Sequence, residues 1–312
     1  MLIFESSSMD KTLAKARRFA RSSGTVLITG ESGTGKELLA QYLHEQSARS
    51  GRSCVRVNCA AFHDGLAESE LFGHEQGAFS GALRRHDGFL HAAGDGTLFL
   101  DEIGELSLPT QAKLLRVLEE GEYVRVGSTD VQRVNARIIA ATNRDLLKEV
   151  AEKRFREDLY HRLDVLSIRL APLRERPDDI PILTRHFIEQ FGSENETQVT
   201  EIADEVVQEM NAYHWPGNVR QLRNLIHRAC VEAETSVIRQ IDFGNVRSTS
   251  DSNDSLPSEF LTMPLDEIER AVILSRIQRF QGNKTEAAAE LGVTPRTLRN
   301  KIARWQELKK AG

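Results

Sequence analysis

Two short stretches of this 312-residue sequence carry the residue types that bind and cleave phosphate esters. The first is GESGTGKE, which follows the apolar run TVLIT and precedes a segment with helical periodicity. A glycine-rich turn between a strand and a helix presents backbone N–H groups to phosphate, and Lys36 adds a charge for the β- and γ-phosphates. We therefore predict that ATP binds Gly30, Glu31, Ser32, Gly33, Thr34, Gly35, Lys36 and Glu37.

The second stretch is LFLDE, an apolar run that ends in the two carboxylates Asp101 and Glu102. Carboxylates at the end of a parallel strand lie where open α/β sheets bind their ligands. We expect Asp101 to hold Mg²⁺, directly or through water, and Glu102 to polarise the water that attacks the phosphate. The alternative is an acidic cap for the segment that follows.

Glu37 departs from the general phosphate-loop motif, in which Ser or Thr follows the lysine and ligates Mg²⁺. Taken alone, the departure leaves open a glycine-rich turn with a solvated lysine. The acidic strand end further along the chain favours the catalytic interpretation.

Four more polar residues could complete a nucleotide site. Thr142 and Asn143 follow the apolar run ARIIAA and could reach the γ-phosphate or its water, although they could also simply end a strand. Arg156 and Arg162 lie on the charged helix FREDLYHRL. In a ring of ATPases such arginines stabilise the transition state in the neighbouring subunit, whereas elsewhere they form a solvated face.

The sequence WPGNVRQLRN opens a later helix. We expect Asn218 to cap this helix and Arg220 to point back from its first turn. Arg220 would then sense the γ-phosphate, or else form a structural salt bridge.

The stretch GAFSGA lies between the two phosphate-related motifs and has neither helical nor strand periodicity. It suits a loop or a loop-tipped hairpin, and its one aromatic residue, Phe79, indicates an interaction surface because exposed aromatic rings reduce solubility. We predict a protein contact at Gly77, Ala78, Phe79, Ser80, Gly81 and Ala82. The alternative is a surface connection in which Phe79 is incidentally buried.

The elements that position these residues alternate between apolar strands and helices, so the predicted fold class is α/β with a parallel sheet and helices on both faces. From Ile180 to about Ile241 the pattern is only helical, and we expect a small helical lid there. The predicted boundaries are an α/β subdomain at 1–171, a lid at 172–246, a flexible Ser- and Asp-rich linker at 247–263 and a C-terminal domain at 264–312.

The C-terminal domain reads as a helix-turn-helix with Gly292 in its turn. Residues 284–312 hold seven Lys and Arg against three Glu, a net charge of +4 in a chain whose total is −5. A basic second helix is the electrostatic pattern of major-groove recognition, although a solvated basic helix is the alternative. We expect DNA contacts from Thr294, Arg296, Thr297, Arg299, Asn300, Lys301 and Arg304.

Bulk composition excludes several classes of protein. No apolar run approaches the roughly 18 residues of a transmembrane helix, and the N-terminus lacks the pattern of a secretory signal. The three cysteines form no CxxC pair, which indicates reduced, mostly buried thiols in a cytoplasmic protein and disfavours a metal site.

Together these motifs resemble the bacterial enhancer-binding proteins, the AAA+ activators of sigma-54 RNA polymerase. GESGTGKE is that family's own phosphate loop, Glu37 included, and ELFGHEQGAFSGA is similar to its ELFGHEKGAFTGA segment. The runs GTLFLDEI, ATNRDL, FREDLYHRL, LRERPDDI and WPGNVRQLRN match in order, and the tail resembles a Fis-type helix-turn-helix. Other AAA+ remodellers would lack the GAFSGA loop, and a regulator with a vestigial ATPase would show decayed catalytic motifs.

The resemblance implies a role for each matching residue. Asp101 and Glu102 would form the Walker B pair, and Asn143 with Thr142 would be sensor I. Arg156 and Arg162 would be arginine-finger candidates, Arg220 would be sensor II, and Asn58 would switch the catalytic glutamate between productive and idle positions. The loop around Phe79 would contact sigma-54. The implied mechanism is ATP hydrolysis in a ring, expected to be a hexamer, that binds enhancer DNA and remodels the closed promoter complex until it opens.

Three departures from the family pattern accompany this resemblance. Ser80 stands where the family has Thr, and it keeps the hydroxyl but lacks the methyl. His91 stands where members often have an acidic residue, so the connection between nucleotide site and loop is expected to differ. The first predicted helix begins within about ten residues of Met1, which leaves no room for an N-terminal receiver or sensory domain. We therefore expect control by a separate protein, or a truncated chain.

Overall fold

The computed structural model describes residues 2–62, 65–195, 199–233, 235–243, 264–280, 283–298, 300–301 and 305. The chain divides into two compact units, Met1–Gly244 and Asn245–Gly312. The predicted linker at 247–263 lies outside the described residues.

The strands of the described residues are β1 Val26–Thr29, β2 Cys54–Asn58, β3 Thr97–Asp101, β4 Glu122–Val124, β5 Val131–Arg133, β6 Arg137–Thr142, β7 Leu166–Arg169, β8 Glu201–Ile202 and β9 Val237–Ile238. Helices α1 to α12 are α1 Ser7–Ala20, α2 Lys36–Glu45, α3 Ala67–Phe72, α4 Gly88–Ala93, α5 Leu108–Glu120, α6 Leu146–Ala151, α7 Glu157–Leu163, α8 Asp179–Asn195, α9 Asp204–Ala212, α10 Asn218–Glu232, α11 Leu265–Arg279 and α12 Lys284–Glu290. Short 3₁₀ turns occur at Cys59–Ala61, Ile103–Glu105 and Leu173–Glu175.

The central sheet is parallel, with strand order β2-β3-β6-β1-β7. Its register pairs Asn58 with Asp101 and Thr29 with Thr142, so the polar residues that end these strands lie along one edge. Since the chain leaves every parallel strand at the same edge, this is where the phosphate loop after β1 meets the carboxylates after β3.

Helices cover both faces of the sheet, because side chains along a strand alternate between faces. In β3, Leu98 and Leu100 pack into a core with α3, α4, α5 and α7, whereas Phe99 packs into a second core with α1 and α2. In β6, Ile138 and Ile139 divide between the same two cores. The predicted α/β fold class is confirmed.

Three short elements of the α/β subdomain were absent from the sequence-based prediction. Helices α4 and α6 have six residues each, too few to show a helical period. Strand β5 pairs with β4 as a hairpin, but it has three residues and Val131 is exposed, so no apolar alternation marks it. The N-terminus of α6 did carry a local signal, since the Asp145 side chain accepts from the N–H groups of Leu147 and Lys148.

The predicted helical lid is confirmed, but it also contains a short strand pair that the sequence-based prediction lacked. Helices α8, α9 and α10 pack around the fully buried Trp215, and β8 and β9 add a two-stranded parallel pair beside them. Each of these strands has two residues, which is too short for any periodicity to reveal.

The second unit contains α11, α12 and further helical residues at 295–298, 300–301 and 305. Its small core is formed by Ile273, Ala288 and Leu298, with Trp305 packed against it. Thr294 precedes the last helical segment, and its hydroxyl accepts from the Thr297 N–H. The arrangement of helix, Gly292-containing turn and second helix is the predicted helix-turn-helix.

All three cysteines are free thiols. Cys59 and Cys230 are buried, and burial raises the pKa of Cys59 to about 12, so that thiol stays protonated. Among the residues that the structure describes, no group of three His, Cys, Asp or Glu could hold a metal ion, and no helix is long and apolar enough to cross a membrane.

Candidate functional site

The phosphate loop connects β1 to α2 through a backbone that only glycine adopts readily. Gly33 and Gly35 have φ angles of +78° and +104°, and no atom lies within 4 Å of the position that a Cβ of Gly35 would take. Lys36, the first residue of α2, is only 6% exposed. Its Nζ donates to the Gly30 carbonyl at 2.9 Å and the Glu31 carbonyl at 3.3 Å.

The acidic pair lies beside this lysine. Glu102 Oε1 is 3.7 Å from Lys36 Nζ, and Glu102 Oε2 accepts from the backbone N–H of Asn143 at 3.1 Å. Glu102 has a φ of +52°, a conformation that non-glycine residues seldom adopt and that is often found at functional sites. The structure thus brings the phosphate loop, the carboxylates after β3 and the end of β6 into one place.

Asp101 carries an unfavourable charge in this setting. Burial raises its pKa, and the negative charge of Glu102 raises it further. One carboxylate oxygen accepts from the Glu102 N–H at 3.1 Å. A cation beside the two carboxylates would offset their mutual repulsion, so these residues are suited to holding one.

The other polar strand ends contribute unequally. Asn143 has an exposed side chain, and it is its backbone that contacts Glu102. Thr142 is buried, and its hydroxyl accepts from the Arg144 N–H. Asn58 pairs in register with Asp101, but its side chain accepts from the Ala60 N–H. All three residues lie at the same sheet edge, but only Asn143 contacts Glu102, through its backbone N–H. The other contact of Glu102 is with Lys36.

The two arginines of FREDLYHRL face other partners within the chain. Arg156 forms hydrogen bonds with Asp158, and Arg162 donates through Nε and Nη2 to the Leu118 carbonyl. Arg162 is exposed and Arg156 is partly exposed. In the part of the chain that the structure describes, neither is hydrogen-bonded to the phosphate loop.

The lid reaches the phosphate loop through the start of α10. Arg220 Nη1 donates to Ser32 Oγ at 3.0 Å, which places this predicted residue at the loop. Asn218 does not cap the helix, so that prediction was wrong: the helix begins at Asn218, and Gly217 takes the cap position without a side-chain hydrogen bond. The Asn218 side chain instead donates to the Ser32 carbonyl at 3.0 Å.

The segment between β7 and α8 also contacts the phosphate loop. Arg174 donates to both carboxylate oxygens of Glu31, and these hydrogen bonds lower the pKa of Glu31. Arg176, buried beside Asp179, donates to the Thr34 carbonyl at 2.8 Å. Sequence reasoning did not find these contacts, since they join residues more than 140 positions apart.

The GAFSGA loop, Gly77–Ala82, is closed by its own backbone. Gly77 N–H donates to the Ala82 carbonyl at 2.9 Å, and Ala82 N–H donates to the Phe79 carbonyl at 3.0 Å. Phe79 is 38% exposed, and Ser80 is exposed beside it. The loop therefore displays an aromatic ring at the surface.

His74 supports this ring from the base of the loop. Its Nδ1 lies 2.7 Å from Ser69 Oγ and its Nε2 lies 3.0 Å from the Arg84 carbonyl, so the neutral ring with a proton on Nε2 satisfies both contacts. The Phe79 ring packs edge-on against it at 5.0 Å between centroids. The backbone of His74 pairs with His86, which makes the segment a loop-tipped hairpin held by one bridge.

Leu83 was missed in the sequence analysis, although it directly follows the loop. It is 82% exposed, more than twice as much as Phe79. An apolar residue adjoining the motif was the available signal, but nothing local in the sequence shows whether such a residue faces the core or solvent.

The β4–β5 hairpin packs against the base of the loop. Val126 N–H donates to the Gly73 carbonyl, and Glu75 N–H donates to the Val126 carbonyl. Arg125 is buried and contacts Asp87 on the returning arm and Glu75 on the outgoing arm. These contacts connect the GAFSGA loop to the hairpin. His91, on α4, has an exposed side chain.

The second unit presents only part of the predicted DNA-contact set. Arg296, Thr297 and Asn300 are exposed, as is Thr294. Lys301 forms an ion pair with Glu269 of α11, which leaves it a weaker candidate for a phosphate contact. Arg299 and Arg304 lie outside the described residues.

Comparison with known proteins matches each part of this arrangement. Residues 2–169 match the sigma-54 interaction domain, residues 174–258 the AAA+ ATPase lid domain, and residues 264–305 the Fis family of bacterial regulatory proteins. The chain belongs to the sigma-54-dependent transcriptional activators. It is accordingly an AAA+ ATPase that binds ATP, acts on sigma-54 and binds DNA through a Fis-type helix-turn-helix.

Relatives of this activator are named transcriptional regulators. It is 45% identical to the transcriptional regulatory protein ZraR of Klebsiella oxytoca over 303 residues, which cover 97% of this chain and 68% of ZraR. It is 44% identical to the Nif-specific regulatory protein of Azotobacter vinelandii over 310 residues, covering 97% of this chain and 58% of that protein.

The solved structure of NtrX from Brucella abortus resembles the activator with a TM-score of 0.72 and 32% identity, covering 97% of this chain and 68% of NtrX. NtrX has also been solved with ADP and with ATP.

Proposed function

We propose that ATP hydrolysed between Lys36 and Glu102 drives the GAFSGA loop against sigma-54 and opens the promoter. The observation that carries this proposal is the 3.7 Å approach of Lys36 Nζ to Glu102 Oε1, which joins a phosphate-binding group to a general base in one site. The loop returns through α4 into β3, the strand that ends at Asp101, so a change at the site has a short covalent path to the loop. Separate assays of hydrolysis and promoter opening test the two parts.

The proposed chemistry uses residues of this chain. Lys36 and the backbone N–H groups of Gly30–Glu37 hold the β- and γ-phosphates. Glu102, oriented by the Asn143 N–H, accepts a proton from the attacking water. Asn143 and Thr142 form sensor I at the end of β6. Asn58, which adjoins Asp101 in the sheet, draws Glu102 away when the site is idle.

We propose Mg²⁺ as the cofactor, held by Asp101 directly or through water. The raised pKa of Asp101 beside Glu102 supports this assignment, because a bound cation would stabilise both carboxylates in their ionised form. Bound there, the ion would neutralise negative charge on the phosphates.

The remaining assignments concern assembly. We propose that the chains form a ring, expected to be a hexamer, in which Arg156 and Arg162 enter the neighbouring site and stabilise the transition state. The exposure of Arg162 and the partial exposure of Arg156 support this role, since each can exchange its present partner for a phosphate. Arg220, already at Ser32, acts as sensor II.

We propose that sigma-54 contacts Gly77, Ala78, Phe79, Ser80, Gly81 and Ala82, with Leu83 extending the apolar surface. The proposed enhancer contacts are Thr294, Arg296, Thr297, Arg299, Asn300, Lys301 and Arg304. A cytoplasmic location fits a DNA-binding protein with free thiols. The proposed boundaries remain 1–171, 172–246, 247–263 and 264–312; the family match to the lid extends to residue 258, into the segment assigned to the linker.

Replacing Asp101 with asparagine should raise the thermal midpoint of the ligand-free protein by about 2–4 °C while abolishing Mg²⁺-dependent hydrolysis. The ionised carboxylate destabilises the fold because its pKa is raised in the folded state. This cost is present at neutral pH and disappears below the unfolded pKa, so the gain in midpoint should shrink as the pH falls. Calorimetry across pH measures the gain.

The matched control is Asp95→Asn, because Asp95 is an exposed carboxylate paired with Arg52. That variant should show no gain in midpoint. An Asp101→Asn protein no more stable than wild type at neutral pH would contradict the proposed charge repulsion.

Deleting residues 265–312 should leave ATP hydrolysis within about twofold of the full chain and abolish specific DNA binding, since the base-reading helix is lost. The division into two compact units supports an intact ATPase after the deletion. Gel-shift titration at one fixed salt concentration, with DNA selected on the full chain, measures the loss. Arg296→Ala in the full chain should weaken binding without abolishing it. Specific binding by the deleted chain would refute the assignment.

A further inference from the structure

Three successive carbonyl groups on the outer side of the phosphate loop accept hydrogen bonds from the lid and from the segment between β7 and α8. Asn218 Nδ2 donates to Ser32 O at 3.0 Å, Val219 N–H donates to Gly33 O at 3.0 Å, and Arg176 Nη2 donates to Thr34 O at 2.8 Å. A peptide whose carbonyl is held in one direction has its N–H fixed in the other, because the peptide unit is planar. The lid therefore constrains the orientation of loop amides.

Asn218 is the member of this set whose side chain makes the most contacts. Its Oδ1 accepts from Leu173 N–H at 2.7 Å, and its Nδ2 donates to Ser32 O and to Glu31 Oε2 at 3.2 Å. The residue is completely buried and so is its hydrogen bond with Leu173, so the Leu173 N–H would lose a buried partner when the side chain is removed. One side-chain amide thus connects the lid to the phosphate loop and to the segment between β7 and α8.

The backbone around Asn218 makes the same connection. Asn218 has a φ of +50°, and asparagine is among the few non-glycine residues that tolerate this region. A Cβ on Gly33 would lie 2.3 Å from the Gly217 carbonyl oxygen, so the phosphate loop and the start of α10 approach each other as closely as glycine permits. A shift of residues 217–219 relative to β1 would move the loop with it.

We infer that Asn218 is a positioning residue for nucleotide binding, which sets the phosphate loop from its outer side without touching the nucleotide. The inference rests on the proposed assignment of Gly30–Glu37 as the ATP site. It also implies reciprocity: if the lid position favours the binding-competent loop, bound nucleotide must favour that lid position by the same factor.

The test compares Asn218→Gly with Asn218→Ala in the full chain. Both remove the amide, but glycine accepts the positive φ whereas alanine is strained there. The KM for ATP, and the Kd for a fluorescent ATP analogue, should rise about tenfold in both variants, as expected for loss of a buried hydrogen-bond partner. The value of kcat should change much less, and the thermal midpoint should fall more for alanine than for glycine.

Two further variants separate the possible outcomes. Cys230→Ala opens a cavity in the lid core away from the loop and should lower the thermal midpoint while leaving the Kd near the wild-type value. Lys36→Ala should abolish nucleotide binding. If Lys36→Ala still binds the analogue, the assignment of the ATP site fails.

If Lys36→Ala loses binding while Asn218→Gly binds like wild type, only the role of Asn218 is refuted. It is equally refuted if the Kd merely follows the thermal midpoint across Asn218→Gly, Asn218→Ala and Cys230→Ala, because that result would mean general destabilisation of the lid.

Discussion

Replacing Glu102 with glutamine should leave ATP binding within about twofold of wild type and lower kcat by about 10²–10⁴-fold, the usual contribution of a general base. Glutamine keeps the size of the side chain and can still accept from the Asn143 N–H, but it cannot take a proton from water. The phosphate-binding contacts of Lys36 with the loop do not depend on the carboxylate. Binding of a fluorescent ATP analogue and steady-state hydrolysis measure the two quantities independently.

Glu105→Gln is the matched control for this result. Glu105 lies three residues further along, carries the same charge and pairs with Arg144. Its removal changes the local electrostatics but takes no group from the proposed chemistry, so kcat should stay within about threefold of wild type. A Glu102→Gln protein that hydrolyses ATP as fast as this control would show that the base has been assigned to the wrong residue.

Replacing Phe79 with alanine should preserve ATP hydrolysis and abolish promoter opening. The ring is at the surface of the loop, and its one ring neighbour among the described residues is His74, whose two hydrogen bonds do not involve Phe79. The base of the loop should therefore survive the change. An aromatic anchor at the centre of an interface contributes at least about 2 kcal/mol, so binding to sigma-54 should weaken by about 30-fold or more.

The measurement pairs a sigma-54 binding assay with open-complex formation on a sigma-54 promoter. Leu147→Ala is the control, because Leu147 is an exposed apolar side chain on α6, outside the loop. Leu83→Ala then shows whether the more exposed neighbour shares the contact with Phe79. Normal promoter opening by Phe79→Ala would mean that the loop does not engage sigma-54 through its aromatic ring.

The family motifs and the main strands could be predicted from the sequence because their signals are local. The apolar runs at β1, β3 and β6 are buried strands that lead into the predicted polar positions. Strand, turn and helix around Lys36 follow one another within a few residues, so their order alone indicates a phosphate loop. Elements of two to six residues, such as β8, β9 and α4, are too short to carry such a signal.

What the sequence by itself determined is the set of chemical groups and the order in which the chain presents them. Only the tertiary structure decided which groups meet. Asn218 is of a residue type that often caps helices, yet its side-chain amide donates to the phosphate loop, 186 residues away in the sequence. Leu83, like Phe79, could have been core or surface, and packing left it the more exposed of the two. Periodicity and capping depend on neighbours within a few positions, whereas these contacts depend on where the lid and the loops settle against the sheet.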